Sequence, residues 1–123
     1  MKKKKRNPIK ALKTKAWTVF ARWIRARDGM CVTCHGSPDH CGHFIRNSER
    51  NQSLGGNELW YDPRNFGGQC VGCNLFKSGE AARFAIHLEA KYGFGIVQEL
   101  HALAQRPKKW TAEEVERVIA TYS

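Results

Sequence analysis

Four cysteines fall in two pairs, Cys31-Val-Thr-Cys34 and Cys70-Val-Gly-Cys73, with 35 residues between the pairs. Zinc takes four ligands at tetrahedral corners, and each C-x-x-C turn offers two sulfurs from one tight knuckle. Two such knuckles complete a site and tie distant segments together. The spacing therefore predicts a structural Zn²⁺ held by Cys31, Cys34, Cys70 and Cys73. Cys31-Val-Thr-Cys34-His35 is also the string that attaches a c-type haem. That chemistry requires export, and Lys2–Arg6 is followed by no apolar region of the kind a secretory signal needs. It also leaves Cys70 and Cys73 without a role. His35 then reads as an exposed turn residue, with a replacement zinc ligand as the alternative. Cys41, close to His40 and His43, reads as a small buried or half-buried thiol.

Three further strings carry residue types that do chemistry. Gly42-His43-Phe44-Ile45-Arg46 lies between the cysteine pairs. Asn65-Phe66-Gly67-Gly68-Gln69 leads into Cys70, and Cys73-Asn74-Leu75-Phe76-Lys77-Ser78-Gly79 follows it. Each string alone says little, because a single His or Asn is more often structural than catalytic. Their order around the cysteine pairs is what points to a site.

The charge says what such a site would meet. The formal net charge is +10, from 21 Lys+Arg and 11 Asp+Glu over 123 residues. Residues 1–78 hold 15 basic and 5 acidic side chains, while residues 79–123 hold 6 of each. One part of the chain is built to meet phosphate, so nucleic acid is the first partner to consider. Four zinc-bound thiolates would lower the total only to about +8. No apolar stretch approaches a membrane span. A reduced, cytoplasmic setting fits the free thiols that zinc requires.

The elements that must position these residues follow from periodicity. Residues 1–13 read as a basic flexible tail, suited to non-specific phosphate contact. Residues 14–123 read as one domain, with a motif core at 30–79 and helices over 80–123. The spacing predicts a helix over 14–28 with Ala16, Trp17, Phe20, Trp23 and Ile24 on a core face. Lys15, Thr18, Arg22 and Arg25 lie on another face, as a solvated surface or a phosphate-facing ridge. Gly29 is placed to stop this helix. Further helices are predicted over 80–92, 95–105 and from Thr111, where Glu114 completes a capping box. Residues 46–68 form a long, glycine-punctuated insert with Arg46, Arg50, Trp60, Tyr61 and Arg64. Trp60 or Tyr61 could stack on an exposed base, and core packing accounts for at least one of them.

With those residues in view, the run from Cys31 to Gly79 resembles the zinc-containing HNH, or ββα-metal, nucleases. More narrowly, the chain from about Ala16 to Tyr122 resembles the phage NinG/Rap recombination proteins. The shared features are the aromatic-basic first helix, Gly42-His43-Phe44, Gln69-Cys70-Val71-Gly72-Cys73-Asn74, Lys77-Ser78-Gly79 and the Trp110-Thr111 opening of the last helix. The resemblance implies an α+β fold: a zinc-stapled ββα-metal, treble-clef-like core with flanking N- and C-terminal helices. His43 would sit on the hairpin, and a helix starting near Cys73 would carry Asn74.

The resemblance also implies roles. His43 matches the general base that takes a proton from the attacking water. Asn65 matches the middle asparagine that braces the histidine loop. Asn74 matches a ligand of a catalytic Mg²⁺ or Mn²⁺. Such an ion would bridge a scissile phosphate oxygen and the leaving 3′ oxygen, giving 5′-phosphate and 3′-hydroxyl ends. NinG-like and endonuclease VII-like proteins carry an aspartate three residues before the base. Here that position is His40, and Asp39 is one residue earlier. Either Asp39 reaches the ion after a small loop shift, or His40 binds it and tilts preference toward Mn²⁺ or another transition ion. Arg22, Arg25, Arg46, Arg50 and Lys77 are the DNA-contact candidates.

The implied activity is hydrolysis of DNA phosphodiesters in branched recombination intermediates, Holliday junctions and D-loops, in the cytoplasm of a bacterial host. A general nicking HNH enzyme is the rival within that class. A non-catalytic zinc-stapled DNA-binding module explains the charge and cysteines equally well, and His40 in place of aspartate favours it. An RNA-binding or protein-interaction zinc domain is the third alternative. A homodimer would suit a junction with two equivalent cuts.

Overall fold

The computed structural model describes residues 8–47 and 55–123. The first helix, α1, spans Pro8–Asp28. It begins before the predicted residue 14, so residues 8–13 belong to the helix and not to a flexible tail. The reason is local: Pro8 is suited to the first helical position, and Ile9 and Leu12 extend the apolar stripe onto the core. The density of lysines masks that stripe in the sequence. Ala16, Val19, Phe20, Ala21 and Ile24 are the buried face of α1. Trp23, predicted in the core, is exposed instead. Its indole packs on the edge of Tyr122, with the Arg27 guanidinium over it.

Two four-residue strands follow, β1 (His40–His43) and β2 (Phe66–Gln69). They pair antiparallel, with His40 opposite Gln69 and His43 opposite Phe66. A 3₁₀ turn, Pro63–Asn65, leads into β2 and is capped by the Asp62 carboxylate. After β2 comes a single π-helical turn, Gly72–Phe76. Three more helices complete the chain: α2 (Ala81–Tyr92), α3 (Ile96–Ala104) and α4 (Ala112–Tyr122). Thr111 and Glu114 form the reciprocal capping box at the start of α4. Architecturally this is a mixed α+β protein with a small two-stranded sheet.

The expected helix from Cys73 is only this one turn. Lys77 N–H reaches the carbonyl of Gly72, and Gly79 N–H that of Cys73. Ser78, Gly79 and Glu80 then take left-handed backbone angles, with φ of 51°, 81° and 51°. A helix cannot run through three such residues, so α2 starts afresh at Ala81.

Two apolar clusters flank the sheet. One joins α1 and α4 through Ala16, Phe20, Ile24, Val115 and Val118, with Tyr61 and Phe66 from the middle of the chain. The other joins α2 and α3 to the first cysteine loop, through Val32, Leu59, Phe84, Leu88 and Leu100. Gly67 lets the second cluster close on the sheet, because a Cβ there would meet Val32 and Phe84 within 2.9 Å. The end of α1 is pinned to β2 by a part-buried ion pair that bonds the backbone there. Arg27 donates to Asp28 at 2.8 Å and to the carbonyls of Pro63 and Phe66. Asp28 in turn accepts from Gly68 N–H at 2.7 Å. These bonds from the last turn of α1 fix where the helix meets the sheet.

Candidate metal centre and histidine site

The sulfurs of Cys31, Cys34, Cys70 and Cys73 lie within 4.8 Å of one another. The first knuckle is shaped by a turn in which His35 N–H bonds the Cys31 carbonyl at 2.8 Å. His35 itself is exposed and left-handed, at φ 67°. The second knuckle is the start of the π turn, where Cys73 N–H meets the Cys70 sulfur at 3.3 Å. Burial opposes ionisation of Cys31. Hydrogen bonds from the Thr33 hydroxyl and from backbone groups of Cys70, Thr33 and Cys34 outweigh it and bring the thiol down to about 6. At Cys34 a Gly36 backbone contact favours the thiolate. The neighbouring sulfurs Cys70, Cys31 and Cys73 oppose it more strongly and push that thiol up to about 12. Sulfurs this close cannot all ionise without a cation among them. The donor set, four thiols and no oxygen, fits a tetrahedral Zn²⁺. Cys41 lies outside the cluster, and burial pushes its thiol up to about 12.

The knuckles position the sheet residues. Val32 N–H bonds the Gly68 carbonyl, which joins the first knuckle to β2. Asn74, one residue past Cys73, lies beside β1, and its Nδ2 is 3.0 Å from His40 Nδ1. Asp39 turns the other way and accepts from the Ser37 hydroxyl at 2.8 Å. Of the two alternatives at the first strand, it is His40 that meets Asn74. Among the described residues, the four cysteines form the single cluster of three or more His, Cys, Asp and Glu side chains that could hold a metal ion.

His43 ends β1. Its ring lies flat on the Trp17 indole, with centroids 5.3 Å apart and 12° between planes, and contacts Phe66 at 4.7 Å. Burial, with the charge of Arg46 added, pushes its pKa down to about 4, so the imidazole is neutral at pH 7. Asn65 is 1% exposed. Its Oδ1 accepts from Ile45 N–H at 2.9 Å and its Nδ2 donates to the Ile45 carbonyl at 3.0 Å. The Asn65 carbonyl also takes Phe44 N–H. Both residues after His43 are thus held by Asn65, Ile45 through its side chain and Phe44 through its backbone carbonyl.

Of the cationic candidates, Arg22 and Arg46 are exposed and Arg25 is half-buried. Lys77 lies 4.0 Å from the Glu80 carboxylate. Arg50 lies outside the described residues.

Gln69 is a site residue whose role the sequence alone does not reveal. It is fully buried, and its Nε2 donates to the Gly79 carbonyl at 2.8 Å and to Thr33 Oγ1 at 3.2 Å. A carbonyl can only accept, so the amide orientation is fixed. Its Oε1 faces Gly42, where it has no hydrogen-bond partner among the described residues. A Cβ on Gly42 would lie 2.0 Å from that oxygen and 3.1 Å from Asn74 Oδ1. One polar residue at the end of a buried Phe-Gly-Gly strand is the signal that could have drawn attention to it.

The fold and site define a mixed α+β protein with a four-cysteine cluster that could hold a metal ion and a histidine-asparagine contact beside a two-stranded sheet. The family profile described as "Bacteriophage Lambda NinG protein" matches residues 1–123, and the chain belongs to that family. Protein ninG of Salmonella phage P22 is 31% identical over 101 residues, which is 80% of this chain and 46% of that protein. Protein ninG of Escherichia phage 933W is 31% identical, over 80% of this chain and 47% of its own length. Protein ninG of Escherichia phage lambda is 30% identical, over 80% and 46%. The chain spans about half the length of the curated relatives it matches. No solved structure matches it. Among the described residues, no helix is long and apolar enough to cross a membrane.

Proposed function

We propose that this chain is a metal-dependent DNA endonuclease of the HNH type, acting on branched recombination intermediates such as Holliday junctions and D-loops. The observation that carries the reading is the contact of His40 with Asn74, 3.0 Å apart, on the same short strand as His43. His40 and Asn74 thus meet at the seam between β1 and the second cysteine knuckle, while His43, three residues along the same strand, turns to the opposite face, against Trp17. The net charge of +10 supports a phosphate-bearing substrate.

His40 and Asn74 are the residues that would hold the catalytic ion. An imidazole and an amide, without a carboxylate between them, suit Mn²⁺ or another transition ion better than Mg²⁺. When bound, such an ion supplies charge stabilisation at the scissile phosphate and the leaving 3′ oxygen. His43, neutral at pH 7, accepts a proton from the attacking water. Trp17 holds the plane of its ring, and Asn65 holds the backbone that follows it. Arg46 and Lys77 supply phosphate contacts. The cysteine zinc carries no step of the reaction; it keeps Asn74 and β2 in register.

The test is cleavage of an immobile four-way junction and a matched linear duplex by zinc-loaded protein, with Mg²⁺ or Mn²⁺ added. The expected result is metal-dependent cutting that prefers the junction and leaves 5′-phosphate ends. Binding without cutting under any ion would instead support a non-catalytic DNA-binding module. The missing carboxylate beside Asn74 is the observation that favours that second reading.

A further inference from the structure

A cavity of about 410 Å³ opens beside His43, between α1 and the Trp60–Tyr61 turn. Lys10, Lys13 and Trp17 line it from α1, and Trp60 and Tyr61 line it opposite. That volume falls within the range of about 300–1,000 Å³ typical of small-molecule sites. Its chemistry is one-sided: aromatic faces, two ammonium groups, and no acidic side chain among the lining residues. Lys13 Nζ already lies 4.9 Å from the centre of the Trp60 ring, so cation and ring face the same space. Thr14 and Asn47 complete the lining, and such walls repel a cationic ligand. They match a flat ring joined to a phosphate.

We propose that this cavity receives one unpaired nucleotide of the DNA strand, its base against the Trp60 indole and its phosphate against Lys10 and Lys13. A base inside a duplex has both faces covered by its neighbours and cannot enter; an unpaired one can. Because every base has a π-face, the site is indifferent to sequence and selects for an unpaired position. The His43 ring forms part of the same lining, so the captured nucleotide adjoins the phosphate that His43 addresses. This inference rests on the nuclease reading for the meaning of His43, but its binding test does not depend on cleavage.

The test uses the zinc-loaded full chain without Mg²⁺ or Mn²⁺. Fluorescence anisotropy at fixed salt compares a duplex bearing a one-nucleotide bulge, the same bulge made abasic, and a fully paired duplex. The base-bearing bulge is expected to bind about tenfold tighter than the abasic one. Trp60→Leu should bring that ratio close to one, while Lys13→Gln should weaken both bulges equally. Equal binding of the two bulges by the unaltered protein overturns the proposal. A ratio kept by Trp60→Leu also overturns it. Should Trp60→Leu fail to fold, the Lys10→Gln/Lys13→Gln double variant decides, since unchanged affinity for the base-bearing bulge overturns the proposal equally. A parallel Mn²⁺ cleavage assay separates the two ideas. A preserved base preference without cutting removes the nuclease and keeps the cavity. Cutting without base preference does the reverse.

Discussion

His43 lies face to face with Trp17, 5.3 Å between ring centroids and 12° between planes. The candidate base is therefore oriented by a helix that starts far from it in sequence. Arg27 and Asp28 then fix that helix to the strand opposite His43. Orientation passes from α1 through an aromatic stack to the imidazole. Trp17→Leu should keep the fold, because the apolar contact with Phe20 and Phe66 survives in part. It should lower the cleavage rate about tenfold or more, as small misplacements of a catalytic group do. Single-turnover rates, with folding checked by circular dichroism, measure this; an unchanged rate would remove the stack from the account.

The burial of His43 has a pH signature. Its pKa is about 4 in the fold against 6.5 for a free imidazole. Between those values the unfolded chain binds the proton and the folded chain does not. Stability is therefore full above pH 6.5 and falls as pH drops toward 4, by an upper bound of about 3 kcal/mol. His87, also pushed down mainly by burial, acts with the same sign. The difference between wild type and His43→Gln isolates the His43 share. An NMR titration should find the His43 ring still neutral at pH 5.5, and a midpoint near 6.5 would contradict the burial argument.

Gly42→Ala should be far more damaging than a methyl group normally is. The added carbon would meet Gln69 Oε1 at 2.0 Å, and Gln69 is held from behind by Thr33 and the Gly79 carbonyl. The expected destabilisation is about 1–3 kcal/mol, the usual cost of overpacking a filled site. Activity should fall further than stability, because Asn74 is the next side chain displaced. Urea unfolding and cleavage measured on the same variant would reveal whether the two losses part in that way.

Removal of zinc should unfasten the site before the helices. The cysteine cluster ties Val32, β2 and Asn74 together, whereas α1 and α4 pack through their own apolar contacts. A zinc-selective chelator is expected to lower the melting midpoint by about 10 °C or more, as a loss of a few kcal/mol does in a domain of this size. Helical signal at low temperature should remain. An unchanged melting curve after verified zinc loss would show that the cysteines are not a structural metal site.

The helical part of this chain was legible because its signals are local. Thr111 and Glu114 sit three residues apart, and the apolar spacing of Phe84 and Leu88 needs no distant partner. The sheet was not legible in that way. β1 and β2 are four residues each, and three of the eight positions are glycine, which gives neither alternation nor β-propensity. Their place came from the spacing of Cys31, Cys34, Cys70 and Cys73 and from the resemblance built on it. Trp23 lies outside the core because a 3.6-residue stripe does not say where the core ends, and its indole meets the rim, Tyr122 and Arg27. A lone polar residue after Phe-Gly-Gly marks Gln69 in the sequence, but its role depends on Thr33, Gly79 and Gly42, each set beside it by the fold.

The most direct measurement is single-turnover cleavage of a labelled four-way junction by zinc-loaded wild type and His43→Ala, in Mn²⁺ and without it. Cutting by the wild type is expected only when Mn²⁺ is present, with a rate at least about a hundredfold lower in the variant and junction affinity unchanged. Equal cutting by both proteins would contradict the role given to His43, and no cutting by either would contradict the nuclease itself.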